Sequence, residues 1–149
     1  MSVIIKGVTG RRRSLLYGLI LMVLLVLGTF LVVGCRASTQ TIGDITVQEA
    51  FDLIEQEQGN PEFAIIDVRT PAEYADGHLE NAVNIDYSAD DFEDRIDELD
   101  KDKTYVIYCR SGVRSAGARD VMEEIGFDEV YNVLEGITGW TAAGFPVVE

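Results

Sequence analysis

The chain has 149 residues, with 26 acidic against 12 basic side chains, and its charge falls into two blocks. Residues 1–34 carry Lys6, Arg11, Arg12 and Arg13 and no acid, so the remainder holds eight basic and all 26 acidic residues, a formal net of −18. The length fits one ordinary domain plus a tail; so acidic a surface keeps the domain soluble and excludes nucleic acid as a partner, because phosphate contacts need Lys and Arg.

Leu15 to Gly34 is a run of 20 residues without a charge, just after Arg11-Arg12-Arg13. A basic flank followed by an apolar run is an export or anchoring signal. The length suits a membrane span and exceeds the usual apolar region of a signal peptide. The run closes on Val32-Val33-Gly34-Cys35, which resembles the lipobox of bacterial lipoproteins, with Val where Leu is usual. That resemblance implies lipidation of Cys35 and favours a lipoprotein over an uncleaved anchor. Either arrangement leaves Arg11–Arg13 in the cytoplasm and the residues after Cys35 outside. Only two cysteines exist. With Cys35 lipidated, Cys109 has no disulfide partner, so the exported domain is held by its core, and retention of a lone exported thiol points to use or burial.

Residues 36–44 are polar and read as a linker, which starts the domain at 45 and carries it to 149. Thr46-Val47-Gln48-Glu49 fits a capping box and opens a helix to about Gln58, where Gly59-Asn60-Pro61 stops it. Phe63 to Val68 reads as a buried strand. Thr70-Pro71-Ala72-Glu73 supplies an N-cap, a proline at the first helical position and a glutamate at the third, opening a short helix that Gly77 closes. Ala82 to Ile85 is a short strand. Ser88 or Asp90 begins an acidic helix with Phe92, Ile96 and Leu99 as its apolar stripe. Lys103 to Tyr108 is a strand, Ser115 to Ile125 a helix ended by Gly126, and Val130 to Val133 a last strand. A turn-rich tail with Gly136, Gly139, Trp140, Gly144 and Pro146 follows. Alternating strands and helices predict an α/β fold, a parallel sheet with helices on both faces. Such sheets bind ligands beyond the carboxyl ends of their strands.

Cys109 falls at such an end. Tyr105-Val106-Ile107-Tyr108 leads into Cys109-Arg110-Ser111-Gly112-Val113-Arg114-Ser115, a strand, a loop with glycine and two arginines, and a helix start. This layout puts a sulfur under backbone N–H groups and a helix N-terminus, which favours thiolate over thiol and holds an anion. The cations Arg110 and Arg114 act in the same direction.

Four segments together resemble the rhodanese domain: Asp67-Val68-Arg69-Thr70-Pro71-Ala72-Glu73-Tyr74; Gly77-His78-Leu79 leading to Ala82-Val83-Asn84-Ile85; the Cys109–Ser115 loop; and Glu135-Gly136-Ile137-Thr138-Gly139-Trp140 with Gly144-Phe145-Pro146-Val147. They occur in the family's order over about residues 43 to 148. The resemblance implies sulfur transfer without a cofactor: Cys109 attacks the outer sulfur of thiosulfate or a similar donor, becomes a persulfide, and passes the sulfur to cyanide or another thiol. It makes Cys109 the nucleophile and assigns donor binding to Arg110, Ser111, Gly112, Val113, Arg114 and Ser115. Asp67, Arg69 and His78 are supporting residues that order the surrounding loops, with Asp67 and Arg69 paired to each other or to His78. Glu73 and Tyr74 read as cap and core, and Trp140 packs the tail over the sheet.

Two rivals remain. A persulfide carrier or partner-binding module would use the same residues with little turnover. A cysteine phosphatase or arsenate reductase would need an arginine fork over the sulfur, but four residues separate Cys109 from Arg114, one fewer than in phosphatase loops, and the tighter ring suits a sulfur atom. One histidine and two distant cysteines make no zinc site.

Overall fold

The computed structural model describes residues 40–149. The apolar run, the lipobox and Cys35 lie outside the described residues. Among those described, no helix is long and apolar enough to cross a membrane.

In chain order the elements are β1 (Thr41–Ile45), α1 (Val47–Gln56), β2 (Phe63–Asp67), α2 (Pro71–Ala75), β3 (Ala82–Asn84), α3 (Phe92–Asp97), β4 (Thr104–Tyr108), α4 (Val113–Glu124), β5 (Glu129–Val133) and α5 (Gly136–Ala142). All five strands are parallel, in the order β1-β5-β4-β2-β3. The α/β expectation, helices on both faces included, holds. Both capping boxes form: Thr46 and Thr70 each accept from the amide three residues on and are answered by Glu49 and Glu73. Those reciprocal bonds satisfy amides a helix start leaves orphaned.

Two assignments change. Thr41–Ile45, placed in the linker for its polar composition, is an edge strand registered along β5 from Thr41↔Glu129 to Ile45↔Val133. An edge strand does not need the apolar run that marks a central one, so composition hides it. The tail after β5 contains a helix over Gly136–Ala142. Two glycines in seven residues read as turns, but both are there for close packing. The α1 and α4 helices also shift by about a turn or less, ending at Gln56 and starting at Val113.

The sheet splits its side chains by the two-residue strand period. Ile66, Tyr105, Ile107, Cys109 and Val130 face a layer built from Phe92 and Ile96 of α3 and Ala118 and Met122 of α4, closed by Phe127. Ile65, Val106, Tyr108 and Val133 face Ala50 of α1, Leu79 and Trp140 of α5. Trp140 lies against Phe51 and Phe145, and its Nε1 donates to Pro146 O at 2.9 Å. It belongs to the core, as the sequence reading placed it. The helix after β2 contributes Tyr74 to one face, and the helix after β4 packs on the other. The loops that follow these adjacent strands diverge, leaving a crevice between them at the sheet's carboxyl edge. Cys109 stands there, one residue past the end of β4.

Candidate active site

Strand alternation aims Cys109 into the α3/α4 layer, and only 1% of the residue is exposed. Gly112 is the N-cap of α4, with φ +89°, and turns the chain back so that its N–H donates to Cys109 Sγ at 3.2 Å. No larger residue fits: a Cβ at Gly112 would lie 2.0 Å from Leu134 O. The loop is thus packed backbone against backbone on the segment after β5.

That segment also disposes of the loop's carbonyls. The first amides of α5 donate to them, Ile137 N–H to Cys109 O at 2.9 Å and Thr138 N–H to Arg110 O at 3.1 Å. Gly136, at φ +53°, makes the approach possible, since a Cβ there would be 2.3 Å from Cys109 O. With carbonyls captured on the outside, the amides on the inside are free to face the sulfur. Sequence reasoning missed this part of the site. Its trace was Glu135-Gly136, read as a turn.

Burial is the largest influence on the Cys109 thiol and pushes its pKa up; it is outweighed by the Ser115 hydroxyl and then by the amides of Ser115, Ser111 and Gly112, so the net displacement is downward. Ser115 Oγ is itself buried and has no hydrogen-bond partner of regular geometry. A hydroxyl rotor in that position satisfies itself by turning to a thiolate, which accepts where a thiol does so weakly. The thiol state leaves a buried polar group orphaned, and ionisation removes the orphan.

The two loop arginines differ. Arg114 forms a two-pronged pair with Glu73, Nη1 to Oε2 at 2.8 Å and Nη2 to Oε1 at 2.7 Å. Its fork, expected to bind the donor, is engaged by this carboxylate. The guanidinium holds the Glu73 carboxyl well below the usual range, at about 2. Glu73 therefore does more than cap α2: it ties that helix to the first turn of α4. Arg110 is exposed. Among the described residues it is the one basic side chain with neither ion pair nor hydrogen bond.

Asp67 and Arg69 pair with each other. Arg69 Nη2 donates to Asp67 Oδ2 at 2.6 Å and to Gly77 O at 2.7 Å, with both residues buried. Asn84, unmarked in the sequence reading, donates from Nδ2 to Asp67 O at 2.9 Å and Arg69 O at 2.7 Å, fixing the turn that leaves β2. His78 stands apart from that pair. It stacks on Tyr74 at 3.7 Å between ring centroids and exchanges two backbone hydrogen bonds, each 2.8 Å, with Val148. Val113 is 76% exposed and contributes through the backbone of the loop. Among the described residues no cluster of side chains could hold a metal ion.

Two expected outcomes follow from this geometry. Ser115→Ala removes the largest downward influence, so the thiolate appears at higher pH, read as an upward shift in the pH profile of Cys109 alkylation. Glu73→Gln, which can still cap α2, costs about 1 kcal/mol of unfolding free energy at neutral pH, the scale of a partly exposed charge-assisted pair. A carboxyl whose folded pKa is depressed to about 2 stabilises fully above its unfolded pKa of about 4.3 and loses that contribution as pH falls toward 2. The difference between wild type and Glu73→Gln in urea unfolding should therefore shrink as the buffer is acidified through that window.

Residues 47–143 match the Rhodanese-like domain family. A sulfurtransferase of Allochromatium vinosum is 38% identical over 84 residues, covering 56% of this chain and 77% of its own. The thiosulfate sulfurtransferase GlpE of Actinobacillus pleuropneumoniae is 29% identical over 109 residues, covering 73% of this chain and 95% of its own. Among solved structures, a rhodanese-related protein of Thermoplasma volcanium superposes with a TM-score of 0.60 at 30% identity over 70% of this chain and 96% of its own. A Mycobacterium tuberculosis protein does so with a TM-score of 0.61 at 28% identity over 73% and 98%. With a loop of buried sulfur, inward amides and outward carbonyls set at the carboxyl edge of a five-stranded parallel sheet, this chain belongs to the rhodanese-like domain family.

Proposed function

We propose that the protein is a sulfurtransferase that accepts sulfane sulfur from thiosulfate, or a donor of like charge, as a Cys109 persulfide, and delivers it to a thiol or cyanide. The observation that carries this reading is the Cys109 sulfur itself, buried yet held below its ordinary pKa by the Ser115 hydroxyl and the loop amides. A thiolate is the nucleophile that sulfur transfer needs. It attacks the outer sulfur of the donor, forms the new S–S bond, and expels sulfite with the electron pair of the broken bond. The amides that stabilise the thiolate then serve the anionic persulfide. Arg110, the unpaired cation at the rim, draws an anionic donor toward a domain whose net charge repels it. The alternative of a phosphoryl clamp is disfavoured by the Glu73 carboxylate, which occupies the Arg114 fork.

We also place the domain outside the cytoplasm, attached through its N-terminal segment, on the strength of Arg11–Arg13, the uncharged run to Gly34 and the lipobox-like Val32–Cys35. Mass analysis of the mature N-terminus tests this: an acylated Cys35 supports the lipoprotein, and an intact Met1 or Ser2 the uncleaved anchor.

Incubation of the purified chain with thiosulfate should add the mass of one sulfur atom, and Cys109→Ser should abolish the addition. Unchanged loading in that variant would overturn the assignment. Cyanide-dependent thiocyanate production over many turnovers separates an enzyme from a carrier that holds its persulfide.

A further inference from the structure

The Glu73 carboxylate is placed first by its own helix. Thr70-Pro71-Ala72-Glu73 folds as a capping box, in which Oε2 accepts from Thr70 N–H at 3.2 Å and from the Thr70 hydroxyl at 3.1 Å. The same oxygen accepts from Arg114 Nη1 at 2.8 Å, and Oε1 accepts from Arg114 Nη2 at 2.7 Å. Four donors on two oxygens hold the group in place, close to the full acceptor capacity of a carboxylate. With its carboxyl held at about 2, Glu73 is ionised throughout the neutral range.

Arg114 therefore stands between two anions. Its guanidinium interacts with the Cys109 sulfur as well as with Glu73. The Arg114 side chain is 27% exposed and that of Glu73 31%, so small ions in solution reach the pair. A guanidinium fork meets a carboxylate and a tetrahedral oxyanion through the same parallel N–H groups. Glu73 thus occupies the seat that a sulfonate, sulfate or phosphate would take beside the sulfur. Thiosulfate and sulfate are both dianions and differ by one atom. An open fork would hold thiosulfate, sulfate and expelled sulfite alike, and binding shared by substrate and unreactive anion does not raise the chemical rate.

We infer that Glu73 is a specificity-determining residue, an anion of the chain itself that fills the Arg114 fork and so keeps oxyanions with no sulfur to give out of the seat beside Cys109. The inference deepens the persulfide reading above and rests on it for the donor. Thiosulfate is selected by its reaction with the thiolate rather than by a clamp on its oxygens, and sulfite is released once formed. A purely structural Glu73 predicts the opposite sign, because loosening the tie between α2 and α4 would weaken the hold on every anion. Removal of a competing carboxylate strengthens it.

Sulfate is the probe. Alkylation of Cys109 by iodoacetamide, a neutral reagent, is timed on the full chain in detergent at constant ionic strength. The Cys109 peptide is followed by mass, so that Cys35 does not contribute. Each protein is scaled to its own rate without sulfate, which removes any change in thiolate fraction. The sulfate concentration that gives half protection should fall about fivefold in Glu73→Gln, the scale of one partly exposed ion pair, and fall also in Glu73→Ala. Arg114→Gln added to Glu73→Gln should cancel the gain, because no fork is left to open. The thiosulfate concentration that half-saturates loading should fall by a similar factor in Glu73→Gln. Unchanged or weaker sulfate protection, a gain that survives the loss of Arg114, or loss of the folded state in both single variants overturns the inference and leaves the persulfide intact. Failure of the wild type to load from thiosulfate overturns the parent reading instead, and the sulfate measurement is read without it.

Discussion

The site depends on where one short loop sends its carbonyl oxygens. Each residue has an N–H to donate and a C=O to satisfy, and neither is left unpaired in a buried place without cost. For the amides after Cys109 to gather around the sulfur, the carbonyls must face away and find donors. The first turn of α5 supplies those donors, Ile137 N–H to Cys109 O and Thr138 N–H to Arg110 O. Gly112 and Gly136 are the two positions where backbone approaches backbone too closely for any Cβ. The cradle around the sulfur is thus built by two chain segments more than twenty residues apart in sequence, and neither forms it alone.

Electrostatically the site is an exception in its own domain. Excess acid surrounds it, and most of the basic side chains are spent holding elements together: Arg69 on Asp67, Lys101 on Asp97, Arg114 on Glu73, Arg119 on Asp44 and Asp120. The stabilisation of the thiolate comes chiefly from oriented amides and one hydroxyl, with the Arg114 guanidinium interacting with the sulfur as well; the dipoles act at short range, where solvent screens little. Such dipoles carry no net charge to pair with the acidic surface. A buried sulfur can be kept anionic in this way even where the long-range field is unfavourable. Arg110 is left as the unpaired cation at the rim, while Glu73 is the fixed counterion of Arg114.

The fold contributes direction. Period-two alternation along β4 sends Tyr108 to one face and Cys109 to the other, so the Cys109 sulfur enters the α3/α4 layer while the Arg69 guanidinium lies 5.7 Å over the Tyr108 ring on the opposite side. Asn84, from the edge strand β3, ties the turn after β2 at two carbonyls. Both loops that border the crevice are therefore anchored before any substrate arrives, and little reorganisation remains to be done on binding.

Much of this was legible in the chain. The alternation of apolar runs with capped helices gave a parallel α/β sheet, because cap spacing and strand period are local properties. The Cys109–Ser115 segment marked itself by chemistry, and the four rhodanese-like motifs marked the family. The polar edge strand Thr41–Ile45 and the glycine-bearing helix Gly136–Ala142 were hidden. Each owes its conformation to a partner distant in sequence, and neither carries a periodic apolar pattern of its own. The roles of the two arginines were also undecidable from residue type. Arg110 and Arg114 are equally cationic on paper, and only packing brings Glu73 to one of them and leaves the other bare. By itself the sequence determined which polar and ionisable groups share the Cys109–Ser115 segment and which elements carry them, since both depend on near neighbours; the tertiary structure decided which charges cancel and which amides converge, since those depend on contacts between segments that the chain keeps apart.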